Sequence, residues 1–197
     1  MKAELKDVSA VILAGGKSTR MGRNKAELDW EGTTLIGYHA EKLRSLGICD
    51  IILSGYRKPI GGTRFAEDIY PGKGPLGGIH AGLLAAHKPH CLVLSVDAPL
   101  VPEDTLLSLV DAHIASGNSI TVISHGGRTE PLIGVYERSL CGFAEDILRT
   151  DSTSVRVLFQ LAGAGEFEYT GDETLLFNCN TPSEYSMLLR YAGRALP

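Results

Sequence analysis

The chain has 197 residues, 44 % of them hydrophobic, with 23 glycines and a formal net charge of −4. That length builds one substantial core and is too short for two ordinary domains. The mildly acidic balance excludes a general nucleic-acid binder, which needs a strongly basic face, and no apolar run approaches the roughly 20 residues that span a bilayer.

In chain order, Val8–Leu13 reads as a buried strand ending at Gly15-Gly16. Leu35–Leu46 reads as a helix, with Leu35, Ile36, Leu43 and Leu46 on its apolar face and Gly47 at its stop. Asp50–Leu53 is the second strand and Leu76–His87 the next helix. Cys91–Val96, the helical pattern Thr105–His113 and the strand Ser119–Ile123 follow. Pro131–Tyr136 reads as a strand and Ser152–Leu161 as a helix capped by Ser152. Leu175–Asn178 reads as a short strand. Thr181 then caps a final helix from Pro182 to about Tyr191. Strands alternating with helices predict an α/β fold: a single doubly wound, mostly parallel sheet flanked by helices, Rossmann-like. One domain is expected over 1–197, with an irregular segment around 125–170 on the acceptor side.

Cys49, Cys91, Cys141 and Cys179 form no C-x-x-C pair, so neither a zinc nor a redox motif is supported. The chain reads as reduced and cytoplasmic, with Cys49 and Cys91 as buried thiols beside apolar runs. The six histidines have no metal-ligand spacing. His80 and His125 are placed near a pocket and the other four at the surface or at helix ends.

The chemistry concentrates after the first strand. Gly15-Gly16 lets the backbone approach a ligand with no Cβ in the way, and Lys17, Ser18, Thr19, Arg20, Arg23 and Lys25 follow at once. A Walker A loop is excluded because Val11 stands where its first glycine belongs. A dinucleotide fingerprint is excluded because Lys17 stands at its second glycine. What remains is a polyphosphate loop of another type. The Gly15 and Gly16 amides and Ser18 would cradle phosphates, Arg20 would hold a leaving pyrophosphate, and Lys25 would stabilise charge on the α-phosphate.

Other groups gather at strand ends, where such sheets bind ligands. Asp97 follows a buried strand, and a carboxylate there needs a partner; Mg2+, or Mn2+ in its place, takes one or two carboxylates plus substrate oxygens and waters. In 68–78, DIYPGKGPLGG, Asp68 is a candidate acceptor for a base or ribose, and Gly77-Gly78 opens a helix with free amides. Asn178 and Asn180 of NCNTP alternate on the expected strand and so point the same way. Glu130, in RTEPLIGVY, leads a strand past the site, with Arg128 and Gly126-Gly127 toward an acceptor. Gly77, Gly78, Glu130, Asn178 and Asn180 are assigned to the acceptor side or to supporting the ligands.

These motifs together resemble the molybdenum cofactor guanylyltransferases of the glycosyltransferase-A-like nucleotidyltransferase group. The resemblance rests on LAGGKSTRMGRNK, on 68–78, on VDAP at 96–99, on EPL at 130–132 and on NCNTP at 178–182, from end to end of the chain. It implies a nucleotide-diphospho-sugar transferase type of fold. It also implies transfer of GMP from GTP to molybdopterin-bound molybdenum, with loss of pyrophosphate. By the resemblance Leu13, Ala14 and Gly15 contact the nucleotide, Lys25 its phosphates, Asp68 the nucleoside, and Asp97 both GTP and magnesium. Ser54 stands where the family often has Asn. Transient contact with apo-molybdoenzymes or cofactor-delivery proteins is a further expectation; nucleic acid and membrane are not. Two alternatives stay open. One is a cytidylyltransferase on molybdopterin, or a related enzyme acting on a sugar phosphate or isoprenoid precursor. The other is a non-catalytic GTP-binding chaperone.

Overall fold

The computed structural model describes residues 5–16, 21–150 and 152–195. Two of the expected phosphate contacts, Ser18 and Arg20, lie outside the described residues, as do Lys17 and Thr19.

The strand β1, Val8–Leu13, is buried at every position. It runs parallel to β4 (Asp50–Ser54) on one side and to β6 (His90–Ser95) on the other, so that Leu13 pairs with both Ser54 and Ser95. A small hairpin of β2 (Asp29–Trp30) and β3 (Thr33–Thr34) lies apart from this sheet. Among the described residues the main sheet has seven strands. Their order is β5 (Arg64–Ala66), β4, β1, β6, β8 (Arg128–Glu137), β7 (Ile120–His125) and β9 (Ala164–Glu168). Only β8 runs against its neighbours. It is joined to β7 by Gly126 (φ 55°) and Gly127 (φ 78°), the left-handed pair that a tight hairpin requires. The alternation of parallel units breaks at that hairpin.

Both faces of the sheet are covered. Val8, Ala10 and Ile12 of β1 pack into one apolar layer with α1 (Leu35–Ser45), α3 (Glu103–Ser116) and α6 (Pro182–Ala195). Val11 and Leu13 point the other way, into a layer built with α2 (Gly74–Ala85), α4 (Cys141–Leu148) and α5 (Val155–Ala162). A strand buried on both faces reads as a continuous apolar run, as β1 does. Gly82 sits where α2 crosses β1: a Cβ there would lie 2.4 Å from Val11 Cγ1.

Several local expectations change. Residues 173–176 form a 3₁₀ turn, Glu173–Leu176, in place of a strand, because the Asp172 side chain accepts from Thr174 N at 2.9 Å and curls the chain. The fifth helix starts at Val155 behind Ser154, with no side-chain cap, three residues later than expected; Ser152 accepts instead from Ser154 N. Cys49 is exposed at the turn before β4, while Cys91 is buried as expected. His39 and His113 are buried, because α1 and α3 turn those positions toward the sheet. Among the described residues no helix is long and apolar enough to cross a membrane.

Candidate active site

The site forms along the carboxyl ends of β1, β4 and β6. β1 ends at Leu13, and its backbone is tied on both sides: Ala14 N donates to Ser54 O at 2.8 Å and Val96 N to Leu13 O at 3.0 Å. The chain then turns at Gly15 and Gly16, the latter with φ 126°, where a side chain would be strained. Both glycines are exposed. Gly55, which follows β4, has φ 81°, and a Cβ on it would lie 2.3 Å from Gly15 Cα and 2.6 Å from Gly15 N. The two loops touch backbone to backbone.

On one side of β1 stand Asp68, expected to meet the nucleoside, and Gly77-Gly78, assigned to the acceptor side or to supporting the ligands. Asp68 Oδ1 accepts from Tyr70 N at 2.9 Å, which holds the carboxylate at the foot of α2. Gly77 and Gly78 lie in the first turns of α2, with Gly77 beside Asp68 and Tyr70 and Gly78 beside Leu13. A Cβ on Gly78 would come 3.1 Å from Ser54 Oγ. The Ser54 hydroxyl donates to Gly78 O at 3.0 Å and so ties β4 to α2. The helix begins at Gly74 with no side-chain cap, which leaves first-turn amides and the positive end of its dipole at this edge. His80 is buried behind, edge-on to Tyr70 with ring centroids 5.4 Å apart, and burial pushes its pKa down.

On the other side stands an oxygen-lined group around Asp97. Ser95, the last residue of β6, donates its hydroxyl to Asp97 Oδ1 at 2.5 Å across the turn that follows the strand. Asp97 Oδ2 receives Lys25 Nζ at 3.1 Å, and the same ammonium donates to Asn180 Oδ1 at 2.7 Å. Lys25 opens the short turn Lys25–Glu27, whose N-cap Asn24 accepts from Ala26 N. Segment 178–180 is drawn in by its backbone, with Cys179 N donating to Asp97 O at 3.0 Å. Asn180 N is fixed in turn by Glu184 Oε2 at 2.7 Å. The two asparagines do not share a strand, yet both reach the site. Asn178 Nδ2 donates to Glu130 Oε2 at 3.4 Å. Burial raises the Glu130 pKa, as does the charge of Asp97, while the Asn178 bond opposes both.

Beyond Glu130 opens a cavity of about 310 Å³ whose walls include His125, Arg128, Glu173, Phe177 and Tyr191. Phe177 and Tyr191 meet edge to face at 5.3 Å. His125 thus lines a pocket as expected, whereas His80 fills the core behind α2.

Among the described residues no three His, Cys, Asp or Glu side chains converge as a metal cage. Asp97 Oδ2 and Asn180 Oδ1 nevertheless converge on one cation, the Lys25 ammonium. Two hard oxygens aimed at a shared cation suit Mg2+, which completes its shell with waters and substrate oxygens. Ser95 and Gly55 were not foreseen. Ser95 meets Asp97 only because the chain turns after β6, which strand periodicity does not reveal; Gly55 is legible as a glycine directly after a strand.

Residues 10–164 match the family model described as the MobA-like NTP transferase domain. The molybdenum cofactor guanylyltransferase of Pseudomonas fluorescens is 34% identical over 183 residues, covering 88% of this chain and 90% of that protein. The crystal structure of molybdopterin-guanine dinucleotide biosynthesis protein A from Archaeoglobus fulgidus is similar with a TM-score of 0.78 at 22% identity. It covers 94% of this chain and 99% of that one. A Mycobacterium tuberculosis protein crystallised with manganese has a TM-score of 0.69 at 18% identity, covering 93% of this chain and 98% of its own.

Proposed function

The chain belongs to the family of MobA-like NTP transferases, and on that premise we propose that it transfers the GMP unit of GTP to molybdopterin-bound molybdenum, forming the guanine dinucleotide cofactor and pyrophosphate. The observation that carries this reading is the Lys25 ammonium. It is shared by Asp97, just past the end of β6, and Asn180, and the exposed Gly15-Gly16 turn follows the adjacent strand β1.

A phosphate oxygen of the acceptor attacks the α-phosphorus of GTP in line. The bond from that phosphorus to the bridging oxygen breaks, and pyrophosphate leaves with the electron pair. The attacking phosphate is already ionised, so no general base is needed. Such transfers rest on positioning and charge neutralisation. Lys25 supplies charge at the α-phosphate as it turns from Asp97 to the nucleotide. The amides of Gly15 and Gly16 and of the first turn of α2 hold phosphate oxygens. Ser18 and Arg20, outside the described residues, are assigned the remaining phosphate and pyrophosphate contacts. Leu13, Ala14 and Gly15 contact the nucleotide and Asp68 its nucleoside end, and the Ser54 hydroxyl, turned onto Gly78 O, supports α2 rather than the base.

Asp97 and Asn180 would hold Mg2+, or Mn2+ in its place. The cation would neutralise phosphate charge when bound. Glu130 and Asn178 border the acceptor, for which the cavity beyond Glu130 offers Arg128 for an anionic group and Phe177 and Tyr191 for an apolar ring.

Pyrophosphate release with each of the four nucleoside triphosphates, in the presence of molybdopterin-bound molybdenum, tests this function. Turnover with GTP alone is expected. Turnover with CTP alone would reassign the base, and GTP binding without pyrophosphate release would make the chain a carrier.

A further inference from the structure

α1 carries two polar side chains into the apolar layer beneath the active site. His39 has no exposed surface, and its Nε2 lies 3.2 Å from Val96 O. Since a carbonyl only accepts, Nε2 is the protonated nitrogen. Nδ1 is then a bare acceptor, buried with no hydrogen-bond partner. One turn on, Lys42 is also buried, and its ammonium donates to Pro99 O at 2.9 Å and to Val101 O. It also lies 5.3 Å from the centroid of the Tyr38 ring. Burial pushes the His39 pKa down to about 3 and that of Lys42 to about 8.

The three carbonyls held in this way, of Val96, Pro99 and Val101, bracket Asp97. They belong to a segment that has left the β6 ladder, so no neighbouring strand satisfies them. The backbone carbonyl of Asp97 itself accepts from Cys179 N at 3.0 Å. Burying an ammonium and leaving an imidazole nitrogen bare are both costly. A surface loop would satisfy the same carbonyls with water.

We propose that His39 and Lys42 are positioning residues that clamp segment 96–101 from α1 and thereby aim the Asp97 carboxylate at the cation and the nucleotide. The role of Asp97 in this statement rests on the function proposed above. Neither side chain touches substrate. Both act through backbone carbonyls, so their loss changes where Asp97 points and leaves the nucleotide contacts assigned to Leu13 and Asp68 in place.

The test uses four forms of the full chain: wild type, Lys42→Met, His39→Leu and His39→Gln. Gln keeps an N–H near the position of Nε2. Mn2+ affinity is read by electron paramagnetic resonance with a non-hydrolysable GTP analogue present, alongside kcat and the KM for GTP. Partners lying behind a metal ligand typically account for about 10–100-fold in affinity or activity. A loss in that range is expected for Lys42→Met and His39→Leu in both Mn2+ affinity and kcat, with the KM for GTP unchanged and His39→Gln close to wild type. Wild-type Mn2+ affinity and kcat in folded Lys42→Met and His39→Leu, with only a lower melting temperature, would overturn the clamp. If Lys42→Met fails to fold, the His39 pair decides. If wild type binds no Mn2+ with the analogue, the nucleotidyl-transfer reading falls. Amide exchange then decides the clamp: acceleration confined to 96–101 in His39→Leu supports it, and none there, or a global change, refutes it.

Discussion

Lys25 Nζ lies 3.1 Å from Asp97 Oδ2, an ion pair between residues 72 positions apart in sequence, with both side chains less than one-fifth exposed. The same ammonium reaches Asn180, so one cation joins the loop after β1, the loop after β6 and the segment before α6. Removing it should be costly to turnover. Lys25→Ala is expected to lower kcat by about 10²–10³, the usual loss for one preorganised charge-stabilising donor. Steady-state pyrophosphate release measures this, and near-normal turnover would remove Lys25 from the mechanism.

The ion pair also makes a prediction about metal. The ammonium occupies the space between the two oxygens assigned to the cation, so it competes with a divalent ion until a nucleotide draws it away. Nucleotide-free Lys25→Met should therefore bind Mn2+ more tightly than nucleotide-free wild type, although it turns over more slowly. Equal affinities in a spin-resonance titration would contradict this. EDTA should abolish turnover of the wild type, and added Mg2+ should restore it.

Two glycine substitutions separate site from scaffold. Gly55→Ala would force a Cβ to 2.3 Å from Gly15 Cα at a backbone φ of 81°. It should displace the phosphate turn and raise the KM for GTP by about tenfold or more, since affinity falls tenfold for each ~1.4 kcal/mol of lost contact. Gly82→Ala places its Cβ 2.4 Å from Val11 Cγ1, in the core between α2 and β1. Overpacking of that kind costs about 1–3 kcal/mol, so this variant should melt earlier while its folded fraction keeps the wild-type KM. A melting loss in Gly55→Ala with unchanged KM would place the glycine contact outside nucleotide binding.

Buried imidazoles set the response to acid. Burial holds the His39 pKa down to about 3; burial and the neighbouring His90 hold that of His113 down to about 4. Unfolded histidines take up protons near pH 6.5, which the folded ones refuse. Between about pH 6.5 and 4 the unfolded state thus binds more protons, and stability falls as pH drops through that window. Each site contributes up to about 1.4 kcal/mol per pH unit there. Urea midpoints measured from pH 7 to pH 4.5 should decline, and less steeply in His113→Gln. A flat profile would mean that both rings are protonated in the folded protein.

How much of this was legible in the sequence depends on which physical signal carried each residue. β1 was readable because an unbroken apolar run ending in glycines fits little besides a buried strand that delivers its end to a ligand. Asp97 was readable because an acid at such a strand end, just before a proline turn, must meet a cation or a donor. Lys25 and Asn180 were both named, but their meeting was not, since a contact between positions so distant leaves no local pattern. β5 is three residues long, too short to show any period. His39 and Lys42 were hidden for the opposite reason: polar residues at helical spacing ordinarily mark the wet face, and here α1 turns them inward to meet carbonyls that sequence does not reveal. The strand expected at 175–178 failed because the side chain of Asp172 offers the backbone a turn.

The bare contact of Gly15 with Gly55 has a consequence for how this scaffold can vary. Where two backbones meet with no side chain between them, there is nothing to exchange for a larger or smaller group without prising the sheet open. The Gly15–Gly55 contact, which the proposed function places under the phosphates, is therefore fixed by geometry. Under the proposed function, any retuning of base preference has to come from the walls, at a position such as Asp68, where a side chain exists to be changed.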